Sequence, residues 1–336
     1  MNTTSVTEPT EPTTSSRLGV ARRGLGVGLT SLRDYGIVVS FIVIFVFLMF
    51  KSNVFFTKVN LFNVLDQNSE FGIMAVGGTL VLIAGGFDLS VGSIYGLSGV
   101  VAALTVGHIG AWGAILLGVG AGLGCGVVNG ILATWGRINP FITTLATSIM
   151  IAGVALVLTS GNLISVLTNT HFTVLGRGDF ATIKYSVWTF LAFTLFCGYL
   201  LSRTTYGRRV YASGANPEAA YLSGIRVNLV KASTFALSGT AAGIAGVIVA
   251  SRVATGQADS GGLNVALDAV AGIVIGGTSI LGGAGAIWRT VLGVLLLAMI
   301  GNGFNLLNVN STYQRIFEGS IILFAVGLDA WSRRTP

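Results

Sequence analysis

The chain has 336 residues, of which 52% are hydrophobic and only 9% charged, with a mean hydropathy of +0.81. Soluble domains carry about 25% charged residues, so this composition excludes a water-soluble globular protein and requires that most of the surface face lipid. The net charge of +7 does not describe a nucleic-acid-binding face, because the basic residues lie in short loops and tails between apolar runs.

In chain order, residues 1–34 read as a cytoplasmic tail, its first part rich in Thr, Ser, Pro and Glu and expected to be disordered, with no cleavable signal pattern. A bilayer-crossing helix needs about 20 mostly apolar residues. Such runs occur near 35–50, 61–85, 89–107, 111–134, 141–160, 185–202, 229–251, 263–280, 286–307 and 312–331. The expected fold is an all-α polytopic membrane protein of about ten transmembrane helices, a transmembrane domain over 35–331 with a short C-terminal tail at 332–336. The abundance of Gly (48) over Pro (5) suits closely packed membrane helices.

Loop charge sets the orientation. One side holds Arg17, Arg22, Arg23, Arg33, Arg137, Arg203, Arg208, Arg209, Arg226, Lys231, Arg289, Arg333 and Arg334. The other holds Lys51, Lys58, Arg177, Lys184, Arg252 and Arg315, roughly half as many. Both termini are therefore expected in the cytoplasm, with Arg252 and Arg315 snorkelling into outer headgroups. Cys125 and Cys197 fall inside apolar runs and His108 and His171 stand apart, so neither pair suggests a disulfide framework or a metal site.

Polar groups inside such a chain are costly and mark candidate sites. Asn63, Asp66, Gln67 and Glu70 recur at helical spacing opposite Leu65 and Phe71, which fits either an amphipathic external lead-in to the second span or the lining of a solute path. Gly85 and Gly86 allow a tight turn, and Asp88 beside them is expected either to cap the third span by accepting from Ser90 or to act at an inner gate. Asp268 lies about five residues into the eighth span and must face a polar cavity or a hydrogen-bonding partner. Asn302 and Asn305 share a face of the ninth span and are pathway candidates as well.

The longest inner loop, 203–228, contains a short helix with legible ends. Asn216 is a good N-cap, Pro217 suits the first helical position, Glu218 complements the positive end of the dipole and Gly224 can take the left-handed conformation that ends a helix. A two-turn helix is marginal alone, so the bundle or a partner must hold it.

Glu218-Ala219-Ala220 followed after three residues by Gly224 resembles the EAA loop of importer membrane subunits. Gly85-Gly86-Phe87-Asp88-Leu89-Ser90-Val91-Gly92-Ser93, Asn139-Pro140-Phe141-Ile142-Thr143-Thr144-Leu145, and Leu267-Asp268-Ala269-Val270-Ala271-Gly272 with Val274-Ile275-Gly276-Gly277-Thr278-Ser279 and Gly282-Gly283 resemble the ribose-type sugar permeases of bacterial ATP-binding-cassette importers, within the branched-chain amino acid/ribose permease superfamily. Arg289 and Glu70 depart from that pattern. The resemblance implies a multi-pass subunit of the bacterial plasma membrane that works as a homodimer or homologous heterodimer. It also implies a cytoplasmic ATP-binding subunit docked on Asn216, Pro217, Glu218, Ala219, Ala220 and Gly224, with Arg208 and Arg209 beside them. An extracytoplasmic substrate-binding protein would deliver a sugar or polyol.

None of the four lysines follows a Gly as a phosphate-binding loop requires. ATP and Mg would therefore be bound by the partner ATPase, with no cofactor on this chain and no enzymatic activity of its own. The rival reading is a proton-coupled secondary transporter using Asp66, Glu70, Asp88 or Asp268 as proton carriers. A passive channel is a third. Neither gives the capped loop helix a task.

Overall fold

The computed structural model describes residues 35–310 and, beyond them, residues 313, 314, 316, 317, 319, 320, 323 and 327, all helical. The tails at 1–34 and 332–336 and most of the expected tenth span lie outside the described residues. The helices are α1 (Tyr35–Lys51), α2 (Lys58–Gln67), α3 (Ser69–Ile83), α4 (Val91–Thr134), α5 (Pro140–Thr159), α6 (Thr170–Arg177), α7 (Tyr185–Arg203), α8 (Thr205–Ala215), α9 (Pro217–Leu222), α10 (Val227–Val253), α11 (Leu263–Ile275) and α12 (Ile287–Leu306). Among the described residues, six helical segments are long and apolar enough to cross a membrane, and α1 and α3 are shorter apolar helices. The protein is an all-α polytopic membrane protein.

The 44-residue α4 is in fact two helices. Gly110, at φ 74° and ψ 173°, breaks it where the sequence places the turn between two spans. The arms fold back on each other: a Cβ on Gly118 would lie 2.8 Å from the carbonyl oxygen of Ser98. The second expected span is likewise divided. α2 stops at Gln67, and Asn68 (φ −109°, ψ 4°) leaves the helical region before α3 begins.

α10 is the central post, packed against both arms of α4 and against α3. The contact is made by small residues one turn apart. A Cβ on Gly122 would stand 2.5 Å from the carbonyl oxygen of Gly239, and one on Gly130 2.7 Å from that of Ala232. Lipid offers no hydrophobic drive to helix pairing, so close backbone approach and dispersion hold this seam. Around it lies a layer of buried side chains that includes Ile73, Leu80, Ile83, Phe193 and Ile248.

The loop 161–184, expected on the external side, is more structured than its composition suggests. It carries α6, capped by the Asn169 side chain on Phe172 N at 3.1 Å. It also carries two short antiparallel pairings. β1 (Ile164–Ser165) pairs with β4 (Thr255–Gly256), and β2 (Asp179–Phe180) pairs with β3 (Ile183–Lys184). Arg252, expected to snorkel outward, turns inward instead to meet acids on α2 and α3.

The seam yields a direct expectation. Gly239→Leu forces α10 away from α4 along its length. Folded, monodisperse protein after detergent extraction is expected to fall several-fold, whereas Gly198→Leu, at a position with open space, leaves the yield unchanged. Fluorescence-detected size-exclusion chromatography of both variants makes the comparison.

Candidate functional site

A cavity of about 310 Å³ opens between the α2–α3 junction, α11 and α12. Four of the sequence candidates meet there: Gln67, Asp268, Asn302 and Asn305. Asn68 and Gln314 join them, and Phe71, Val64, Val294 and Leu297 supply an apolar wall. Amides that both donate and accept, one carboxylate and an aromatic face suit a small solute bearing hydroxyls on a hydrocarbon frame. The side is braced by a reciprocal amide pair: Asn302 Nδ2 donates to Asn60 Oδ1 at 2.9 Å and Asn60 Nδ2 to Asn302 Oδ1 at 3.1 Å. Asn60 Nδ2 also donates to the Phe55 carbonyl at 2.9 Å.

The polar stripe of 63–70 does not act as one face. The break at Asn68 rotates α3 relative to α2, so Gln67 turns to the cavity while Glu70 is buried on another side. Asp66 and Glu70 engage Arg252 of α10. Glu70 pairs with its guanidinium, Arg252 Nη1 donates to the Asp66 carbonyl at 3.0 Å, and Nη1 stands 3.8 Å from Asp66 Oδ1. Ser186 of α7 donates a short hydrogen bond to Asp66 Oδ1. Arg177 Nε donates to the Arg252 carbonyl at 2.8 Å, tying in α6. The guanidinium thus joins α2 and α3 to α10, with α7 held through Asp66 and α6 through the Arg252 carbonyl. Asn63 is exposed and belongs to neither group.

Asp88 is buried in the turn between α3 and α4. Its Oδ1 accepts from Ser90 N at 3.0 Å and Ser90 Oγ at 2.6 Å, and its Oδ2 accepts from Ser238 Oγ of α10 at 2.8 Å. Asn129 Nδ2 donates to Ser90 Oγ at 2.7 Å. The carboxylate fixes the turn before α4 and ties it to α10, the arrangement of a structural cap.

On the same side, three chain segments converge on glycines. Gly85 has φ +76° and Gly282 φ +89°. A Cβ on Gly282 would sit 2.8 Å from Gly85 Cα, and one on Gly214 would overlap the carbonyl oxygen of Ile83. Gly283 N donates to that carbonyl at 2.9 Å. The end of α3, the loop after α11 and the end of α8 therefore touch backbone to backbone.

From this knot the chain enters α9. Asn216 Oδ1 accepts from Ala219 N at 3.0 Å, Pro217 opens the helix and Glu218 lies in its first turn. Gly224, at φ +82°, closes it, with Ile225 N donating to the Ala220 carbonyl at 3.0 Å. Ala220 is buried against the bundle, while Ala219, Tyr221 and Leu222 face outward, the last two 71% and 79% exposed. Sequence periodicity missed α8, which precedes it; Tyr206 and Val210 on its inner face are the signal, with Tyr206 Oη and Ser233 Oγ 2.8 Å apart. Arg208 and Arg209 are exposed on α8. Asn60, Asn68, Gln314 and Ser238 were also missed. Only Asn68 had a signal, as a polar residue inside the stripe.

A bundle of apolar helices enclosing a polar cavity, with a capped helix presented on one side, defines a multi-pass membrane permease. The chain belongs to the family described as branched-chain amino acid transport system / permease component, which matches residues 60–326. It is 42% identical over 277 residues to the ribose import permease protein RbsC of Bacillus subtilis (strain 168), covering 82% of this chain and 86% of that one. It is 41% identical over 283 residues to RbsC of Escherichia coli (strain K12), with 82% and 87% covered. To the L-arabinose ABC transporter permease protein AraH of Azospirillum brasilense it is 36% identical over 326 residues, with 96% and 95% covered. No solved structure matches the chain.

The Arg252 cluster gives a second expectation. Removing the cation strands two carboxylates, at a cost of about 3–5 kcal/mol for a buried pair. Arg252→Met is expected to lower the melting temperature markedly, and Arg252→Met with Glu70→Gln to recover part of the loss. Thermal unfolding of the single and double variants measures the coupling; strict additivity would mean that the contact contributes nothing.

Proposed function

We propose that this chain is the membrane-spanning subunit of an ATP-driven importer for a monosaccharide or related polyol in the bacterial plasma membrane. It would have ten spans per copy and both termini in the cytoplasm. Two copies, or one copy and a homologue, would form the path. A separate cytoplasmic subunit would bind ATP and Mg and hydrolyse the nucleotide, and an extracytoplasmic binding protein would deliver the sugar. The relatives named for ribose and arabinose favour a pentose-sized solute.

The observation that carries this reading is the continuity between the glycine knot and the cavity. α3 borders the cavity near Phe71 and ends at the knot. α11 borders it at Asp268, and its following loop reaches the knot through Gly282 and Gly283. Both meet Gly214, two residues before the α9 cap. Displacement of α8 and α9 by a partner would shift the ends of two cavity-lining helices without an intervening flexible linker, which is what alternating access requires. In this scheme Tyr221 and Leu222 fill an apolar groove on the ATPase, and Arg208 and Arg209 contact its surface. Gln67, Asp268, Asn302 and Asn305 hydrogen-bond the passing hydroxyls. Asn63 stands at the external approach, Asp66 and Glu70 hold the wall through Arg252, and Gly85, Gly86 and Asp88 form the inner hinge.

The test is reconstitution with the ATPase and binding protein. Leu222→Asp places a charge in the groove contact and is expected to abolish ATPase retention and uptake while leaving folded yield unchanged, because Leu222 is exposed. Asp268→Asn keeps the shape and removes the charge; uptake is expected to fall about tenfold or more, with the ATPase still bound. Uptake driven by a proton gradient in the absence of the ATPase would overturn the reading.

A further inference from the structure

A second cavity, of about 350 Å³, lies beside the glycine knot, between the α3–α4 turn, the α4–α5 connection and the start of α10. Arg137 and Lys231 both line it, and no carboxylate is among its lining residues. Lys231 is half-buried, its Nζ 3.8 Å from where a Cβ on Gly85 would stand. Among the described residues, the side chains of Arg137 and Lys231 make no hydrogen bond or ion pair. The nearby acid Asp88 is taken up by Ser90 and Ser238, and Glu218 is exposed on α9 outside the lining. Two long helices also begin here. The start of α5 is capped, with Asn139 Oδ1 accepting from Phe141 N at 2.9 Å, whereas Asn228 lies in the first turn of α10, which no side chain caps. Helix starts carry unpaired N–H groups and partial positive charge.

A half-buried ammonium without a counter-charge is costly, and here a guanidinium and the uncapped start of α10 add to the positive potential. We propose that this cavity binds a phosphate group, carried either by an anionic lipid headgroup or by a soluble phosphate. The guanidinium and ammonium would each donate charge-assisted hydrogen bonds to its oxygens, with Asn228 and the first amides of α10 completing the shell. Because Gly85 and Pro217 share this cavity, an occupant would brace the knot against α9.

The experiment uses the full chain, delipidated in detergent, and reads binding alone, so it stands or falls separately from the importer reading. Thermal unfolding is followed with added inorganic phosphate, phosphatidylglycerol or phosphatidylcholine. Saturable stabilisation by phosphatidylglycerol but not by phosphate or phosphatidylcholine identifies a lipid headgroup; equal stabilisation by inorganic phosphate identifies a soluble source. In Arg137→Gln/Lys231→Gln the half-saturating concentration is expected to rise roughly tenfold or more, while Arg137→Lys/Lys231→Arg retains binding. If the double glutamine variant folds poorly, Lys231→Gln alone is judged by the same criterion. No stabilisation by either anion, or stabilisation undiminished in the glutamine variants, overturns the proposal.

Discussion

The carbonyl oxygen of Ile83 is the point on which the end of the molecule that carries α9 depends. α3 ends there, and Gly283 N, 2.9 Å away, takes up the oxygen that the ended helix leaves exposed. Gly214 packs against the same carbonyl with no room for a side chain. In a medium without water an unpaired carbonyl costs several kcal/mol, so the three segments are held together by a backbone requirement. Side-chain fit is secondary there. This allows helices broken at 84–90 and 276–286 to remain ordered. It also fixes the start of α9 to both broken helices rather than to a free loop.

The opposite end, around Arg252, is organised differently. There an ion cluster, Arg252 with Asp66 and Glu70, ties α2, α3 and α10 together, with Ser186 of α7 joined through Asp66. Such a cluster is directional and depends on every member being present. The polar cavity lies on the α2–α3, α11 and α12 side, so at the break at Asn68 Gln67 faces the cavity while Asp66 and Glu70 hold the ion cluster. Between the two ends, the Gly122–Gly239 seam keeps α10 in line with α4. α3 and α11, which border the cavity and run toward the knot, are 15 and 13 residues long, shorter than α5, α7, α10 and α12. The glycine knot and the ion cluster thus bracket α3, the helix that borders the cavity at Phe71 and carries Glu70.

Much was legible in the sequence alone. Apolar run lengths gave the membrane-spanning class, because the bilayer thickness imposes a minimum helix length. Asn216, Pro217, Glu218 and Gly224 gave both ends of α9, because capping is a local matter of a few consecutive residues. The break near 108–110 and the Asp88–Ser90 bond were legible for the same reason.

What the tertiary structure decided was which polar residues share a space. Gln67, Asp268 and Asn302 are brought together from three distant helices, and no spacing rule links them. The face shared by Asn63, Asp66, Gln67 and Glu70 on paper is divided because Asn68 leaves the helix, a backbone choice set by packing rather than by propensity. Arg252 turned inward because acids on two other helices, Asp66 of α2 and Glu70 of α3, awaited it, and its position at a span end gave no sign of them. Local chemistry fixes where helices start and stop. The pairing of buried charges and amides is a long-range requirement, and only the assembled bundle satisfies it.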